Sequence, residues 1–173
     1  FAEIMRKDGD LDWHVAIHPY NTPMTSPYAW LASGRAPHSQ DAAYLTMHNI
    51  DVLTDYLCRS EMLAPDGQVR SVICSEQGYT SSMGESLQAA AVVYGYLQAM
   101  HNSHIDGFIL SREMDDGGEV AQGLANGLLN LGAGRKMAYS YYQAMGTANE
   151  QQFIDSALAI MGITDISTIL TDR

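Results

Sequence analysis

The chain has 173 residues, 46% of them hydrophobic, and sets nine Lys and Arg against twenty Asp and Glu for a net charge of −11. That apolar content supports one sizeable core in a single domain over residues 1–173, and no segment is polar or repetitive enough for disorder. The acidic balance argues against nucleic acid or an anionic membrane as partner and suits a neutral or cationic ligand, and no run approaches the roughly 18 apolar residues of a membrane span.

No leader with a basic and an apolar region opens the sequence. A start at Phe1 reads as a processed or excised piece, so the compartment, secreted or cytoplasmic, stays open. Cys58 and Cys74 lack metal-ligand spacing and read as free core thiols. Neither a disulfide nor a zinc site is expected, and no motif calls for a cofactor.

Taken in chain order, "FAEIMRKDGD" reads as the tail of a helix ending at Gly9. "LDWHVAIHPYN" then alternates Trp13, Val15 and Ile17 against His14, Ala16 and His18, the period of a strand. Residues 22–46, with Pro23, Pro27, Pro37 and Gly34, are too long for an ordinary connection and predict a functional loop. Ile50, Leu53, Leu57 and Met62 then recur at helical spacing, with Asn49 as N-cap.

"DGQ" at 66–68 is a turn, and residues 69–75, with Val69, Val72, Ile73 and Cys74, form a strand of the buried parallel kind. An alanine-rich helix follows in "ESLQAAAVVYGYLQAMHNS", then a third strand, "IDGFILSR", breaking into "EMDDGGEVAQG". Helices over roughly 136–145 and 149–161 complete the chain. Strand and helix therefore alternate three times, which predicts an α/β fold of parallel strands with crossover helices, either a doubly wound sheet or a barrel. A full eightfold barrel needs about 250 residues, so three units make only part of one.

Chemistry is expected at the carboxyl ends of the strands, where ligands bind in such folds. The first strand ends in His18 and Tyr20, two hydrogen-bonding side chains on one face, with Pro19 stopping the ladder. The second ends in Ser75, Glu76, Gln77 and Gly78. A carboxylate closing so apolar a run must emerge onto something polar, and Gly78 allows a tight turn with Tyr79 as a wall. The third ends in "SREMDD", where Arg112 suits a partner that keeps a carboxylate ionised, and Asp115 and Asp116 are candidate ligand acceptors or turn charges.

No GxGxxG, GxxxxGK[ST], GxSxG or HExxH pattern occurs, so nucleotide binding, esterase-type hydrolysis and zincin chemistry have no motif behind them. "HNSHIDG" at 101–107 lies between a helix and the start of a strand, at the face such folds use for stability, and reads as a helix C-cap region.

"DWHVAIHPYN", "VRSVICSEQGYTS" and "IDGFILSREMDD", with their helices, resemble the last three strand-and-helix units of the retaining clan A glycoside hydrolase (TIM) barrels. They also resemble a bacterial family of glycoside-hydrolase-like proteins of unassigned function in which similar "HPY" and "EQG" stretches occur. The resemblance covers nearly all 173 residues and implies strands six, seven and eight. It implies Glu76 as the nucleophile, His18 or Tyr20 as the group that hydrogen-bonds it, and a carbohydrate substrate. A phenol or imidazole beside a nucleophilic carboxylate holds it in place and stabilises its charge. Tyr28, Trp30 and Tyr79 are then candidate sugar-stacking surfaces, and Arg112 with Asp115 or Asp116 the far wall.

The sequence departs from that pattern in one respect. The family's acid/base belongs to an Asn-Glu pair ending strand four, and the one such dipeptide, Asn149-Glu150, falls in the terminal helical region. Three consequences are expected: the acid/base lies outside this chain, exposed strand edges favour association with itself or with the missing N-terminal half, and the chain alone is inactive. Two other readings stand beside it: a non-catalytic carbohydrate-binding barrel remnant, and a small doubly wound domain binding a phosphorylated ligand, which lacks a glycine loop to support it.

Overall fold

The computed structural model describes residues 2–7 and 9–170. A short helix α1 (Ala2–Lys7) precedes three strand and helix units: β1 (Val15–Ile17) with α2 (Asp51–Leu57), β2 (Val72–Gln77) with α3 (Glu85–Met100), and β3 (Ile105–Leu110) with α4 (Gly117–Val120), α5 (Met137–Ala144) and α6 (Glu150–Met161). The strands form one parallel sheet in the order β1-β2-β3, with Ile17 opposite Cys74 and Cys74 opposite Phe108. The architecture is α/β, three parallel strands alternating with helices, as in part of a TIM barrel. Neighbours in the sheet are consecutive in sequence, so the described strands contain no reversal point of the kind a doubly wound domain uses to bind its ligand.

The two sheet faces differ sharply. Val72 and Cys74 are fully buried against the helices, whereas Ile73 and Ile109, pointing the other way, are 39% and 53% exposed. Parallel sheets normally bury both faces. α3 is buried around almost its whole circumference because it packs against β3, α5 and α6 at once. Its alanines allow that close approach, and at Gly95 a methyl group would overlap the Tyr79 hydroxyl and come 3.0 Å from Phe108.

β1 and β2 begin later than the apolar pattern predicts, and Arg70 accounts for the delay in β1. Its side chain, 1% exposed, donates to the carbonyls of Met62 (2.9 Å), Leu63, Leu11 and Trp13 (3.1 Å each), reaches Asp10 at 3.1 Å, and stacks 4.1 Å over the Trp13 ring. The Leu11 and Trp13 carbonyls taken by the guanidinium are withdrawn from the ladder, and β1 pairs regularly only from Val15, opposite Val72. Asn49 is not the cap of α2 either. Thr46 caps a single 3-10 turn (Met47–Asn49), while the Asn49 amide donates to Pro37 O (3.0 Å) and Tyr44 O (3.1 Å) and ties down the long loop. α2 ends at Leu57, short of Met62, and α4 begins where a plain turn was expected.

Candidate functional site

Strict alternation along β2 would point Glu76 the same way as Val72 and Cys74, into the helices. The pairing prevents this. Between Cys74 and Gln77 β2 advances three residues while β3 advances two, from Phe108 to Leu110. Such an irregularity kinks a strand and re-aims a side chain. Gln77 takes the inward position, fully buried with its amide donating to Ile109 O at 2.8 Å, and Glu76 is delivered to the open face at the carboxyl edge of the sheet.

There the Tyr20 hydroxyl donates to Glu76 Oε1 at 2.9 Å, and His18 Nδ1 stands 3.9 Å from Oε2. Tyr20 is held as a donor: burial above all, and then the hydrogen bond to the Glu76 carboxylate, push its phenol up to about 12, with the Ser111 hydroxyl acting in the opposite sense. Tyr20 is therefore neutral and proton-bearing throughout the physiological range. His18 is solvent-exposed and its contact with Glu76 is looser.

Glu76 and Tyr20 line a cavity of about 300 Å³ together with Met24, Ser111, Arg112, Glu119, Leu124 and Asn126. Groups from the ends of all three strands thus converge on one hollow. Arg112 lines it, and its partner is Glu119, which accepts from Nε at 2.7 Å and from the second nitrogen at 2.5 Å. That carboxylate holds the guanidinium above its ordinary value.

The acids expected to form the far wall are used elsewhere. Asp115 is buried and takes the Lys136 ammonium at 2.8 Å and the Gly127 N–H at 2.8 Å; Lys136, equally buried, also donates to Ser81 Oγ and Ala125 O at 3.0 Å each. Strand-like pairing of residues 113–115 with Leu129 turns Asp115 inward. Asp116 caps α4 by accepting from Gly118 N (2.9 Å) and Glu119 N (3.1 Å), and so orients Glu119.

Of the expected stacking aromatics, Trp30 and Tyr79 are core residues and Tyr28 is half-buried against them. Tyr79 is 1% exposed against α3, and Trp30 is buried in the same cluster, with Tyr28 packed edge-on to it at 5.5 Å between ring centroids. Neither Tyr28, Trp30 nor Tyr79 lines the Glu76 cavity. The long loop that carries Tyr28 and Trp30 is thereby packed onto the fold.

Sequence reasoning missed Ser111, Glu119 and Asn126. For Glu119 a signal was present: Asp116 followed three residues later by Glu119 is the spacing of a helix N-terminus. Asn126 has no local signal, because it is placed by packing against Gly78, 48 residues earlier in the chain. Cys58 and Cys74 are unbridged. Among the described residues no group of three or more His, Cys, Asp or Glu is gathered to hold a metal, and no helix is long and apolar enough to cross a membrane.

With this geometry established, comparison with known proteins gives three findings. A model described as "Family of unknown function (DUF5722)" matches residues 1–169, and the chain belongs to that family. No curated protein matches it. Among solved structures the chain is similar to a family 39 glycoside hydrolase from the gut symbiont Bacteroides cellulosilyticus WH2, with a TM-score of 0.60 and 21% sequence identity, over 86% of this chain and 30% of that one. The chain thus spans less than a third of that hydrolase, and the likeness is one of fold.

Proposed function

We propose that this member of the DUF5722 family forms part of a retaining glycoside hydrolase in which Glu76 is the nucleophile. The observation that carries the reading is the Tyr20 to Glu76 hydrogen bond of 2.9 Å, made at the carboxyl edge of a parallel sheet by a carboxylate that the strand irregularity turns away from the core. The likeness in fold to a family 39 glycoside hydrolase supports it. A Glu76 oxygen would attack the anomeric carbon of the sugar, forming a glycosyl ester as the bond to the leaving oxygen breaks; that oxygen takes a proton from an acid, and water later cleaves the ester. Tyr20 would hold the nucleophile in line, with His18 as a second, looser support.

Among the described residues none supplies the acid. Glu119 is the other carboxylate among the described residues lining the cavity, and both its oxygens already accept from Arg112. We assign the acid to further parallel strand and helix units that pair with the free edges of β1 and β3 and cover Ile73 and Ile109. The same engagement of Glu119 favours one alternative, a carbohydrate-binding remnant without chemistry.

Dinitrophenyl glycosides separate the two, because their leaving group departs without protonation. Hydrolysis that disappears in Glu76→Gln, with the melting temperature unchanged, is the expected outcome. Activity persisting in the variant, or a marked loss of stability, would exclude Glu76 as nucleophile.

A further inference from the structure

Outside the Glu76 cavity, a compact group of polar side chains fastens the long loop between β1 and α2 to the fold. His38 Nδ1 lies 3.0 and 3.1 Å from the two oxygens of Asp51, the first residue of α2, and Asp51 is 4% exposed. His48, in the 3-10 turn that closes the loop, sets its own Nδ1 3.0 Å from the hydroxyl of Tyr94, a buried residue of α3. The two imidazole rings meet edge to face, 5.0 Å apart between centroids.

Tyr94 decides the direction of the His48 bond. Burial above all holds its phenol well above the ordinary value, and the Gln98 side chain donates to its oxygen. Tyr94 therefore keeps its proton and donates to His48 Nδ1, which must be the bare nitrogen of a neutral ring. A protonated ring carries hydrogen on both nitrogens and cannot accept. Taking up a proton thus costs His48 the Tyr94 bond and puts charge on a half-buried ring beside His38. Burial first, and then His38, hold His48 below the ordinary histidine value, with Asp51 acting in the opposite sense. Among the described residues, the titratable groups facing it are His38 and Tyr28 of the loop, Asp51 of α2 and Tyr94 of α3.

The path of the loop connects this group to the Glu76 cavity. His48 lines a small hollow of about 30 Å³ with Asn21, Thr22, Ser26 and Tyr28. Within that segment Met24 lines the Glu76 cavity, and Tyr20, the donor to Glu76, directly precedes it. Next to His48, the Asn49 amide holds the carbonyls of Pro37 and Tyr44, so one turn anchors both halves of the loop.

We propose that His48 is an acid-sensitive latch: neutral, it accepts the Tyr94 hydroxyl and keeps residues 21–31 seated beside the Glu76 cavity; protonated, it releases them. The latch does not depend on the carbohydrate reading. Because folding holds His48 below its unfolded value, the stability it contributes is complete at neutral pH and is lost as pH falls from about 6.5 towards the folded value.

Nuclear magnetic resonance of the 13C,15N-labelled chain between about pH 7.5 and about pH 5 tests it, with the imidazole signals assigned through the backbone. His48 Nδ1 carries no proton at neutral pH. On acidification the Ser26, Ala29 and Leu31 amides, each hydrogen-bonded within the loop, exchange about three- to tenfold faster relative to their intrinsic rates, the span for one lost hydrogen bond. Their midpoint is that of His48. In His48→Asn, whose side-chain oxygen can still accept from Tyr94 but does not titrate, the rise is absent. A proton on Nδ1 at neutral pH, a rise that follows His38 instead, or no rise as His48 titrates overturns the latch, and so does an equal rise in His48→Asn. The first three are read on the wild-type chain and stand however the variant folds. None of these outcomes bears on Glu76 as nucleophile.

Discussion

Asp115 and Asp116 are adjacent in sequence yet do different work, and replacing each by alanine separates the two roles. Asp115→Ala removes the carboxylate from a pair in which both residues are buried, stranding the Lys136 ammonium with Ser81 and Ala125 O and orphaning the Gly127 N–H. Breaking one side of a buried pair costs about 3–5 kcal/mol. For a protein of this length each kcal/mol is about 2–4 °C in melting temperature, so the loss is about 6–20 °C. Asp116→Ala removes only a helix cap, about 1 kcal/mol or 2–4 °C. Thermal unfolding followed by circular dichroism or calorimetry measures both. A double substitution, Asp115→Leu with Lys136→Met, recovers much of the loss, because an apolar pair of similar volume replaces a desolvated ionic one. An Asp115→Ala protein that melts within 2 °C of the wild type but binds sugar more weakly would refute this reasoning and put Asp115 in the cavity.

Gly95→Ala should destabilise by about 1–3 kcal/mol through overlap with Tyr79 and Phe108; a raised melting temperature, as helix propensity alone would give, contradicts the packing. Burial pushes the Cys74 thiol up to about 12, so at pH 8 Ellman's reagent should titrate one thiol in the native chain, the exposed Cys58, and two in denaturant; two fast thiols in the native chain would contradict the burial of Cys74. Tyr20, raised from 10 to about 12, is protonated in both folded and unfolded states below pH 10, and its contribution to stability is fully present there. Between about 10 and about 12 the unfolded phenol ionises while the folded one does not, so stability falls as pH rises. Tyr20→Phe should flatten that part of the slope in denaturant titrations, and identical slopes would count against the burial of the Tyr20 phenol beside Glu76.

Much of the architecture was legible because strand and helix periods differ and the three apolar strand runs are separated by helix-length segments. Glu76 and Tyr20 stood out as polar groups ending apolar runs, and the structure joins them. Their orientation was not legible. Alternation alone sends Glu76 inward, and only the one-residue excess of β2 over β3 reverses it, a fact of pairing that no single strand encodes. Tyr28, Trp30 and Tyr79 have the right chemistry for stacking on sugar, but exposure is decided by tertiary packing, which buries Trp30 and Tyr79 and half-buries Tyr28. Arg70 shows the same limit from the other side: a charge inside an apolar run reads as a strand residue, yet its carbonyl partners lie up to 59 positions away. "DDGG" read as a turn because its glycines dominate the local pattern, although Asp116 and Glu119 carry a helix start within it.

The most direct test of the central claim is covalent trapping. The protein is incubated with dinitrophenyl 2-deoxy-2-fluoro glycosides of the gluco, galacto, manno and xylo series, and its peptides are analysed by mass spectrometry. A retaining nucleophile forms a long-lived fluoroglycosyl ester, and the activated leaving group needs no acid. The account predicts one fluoroglycosyl addition on the peptide containing Glu76, absent from Glu76→Gln. Labelling of a different carboxylate, or of none with any of the four sugars, would contradict it.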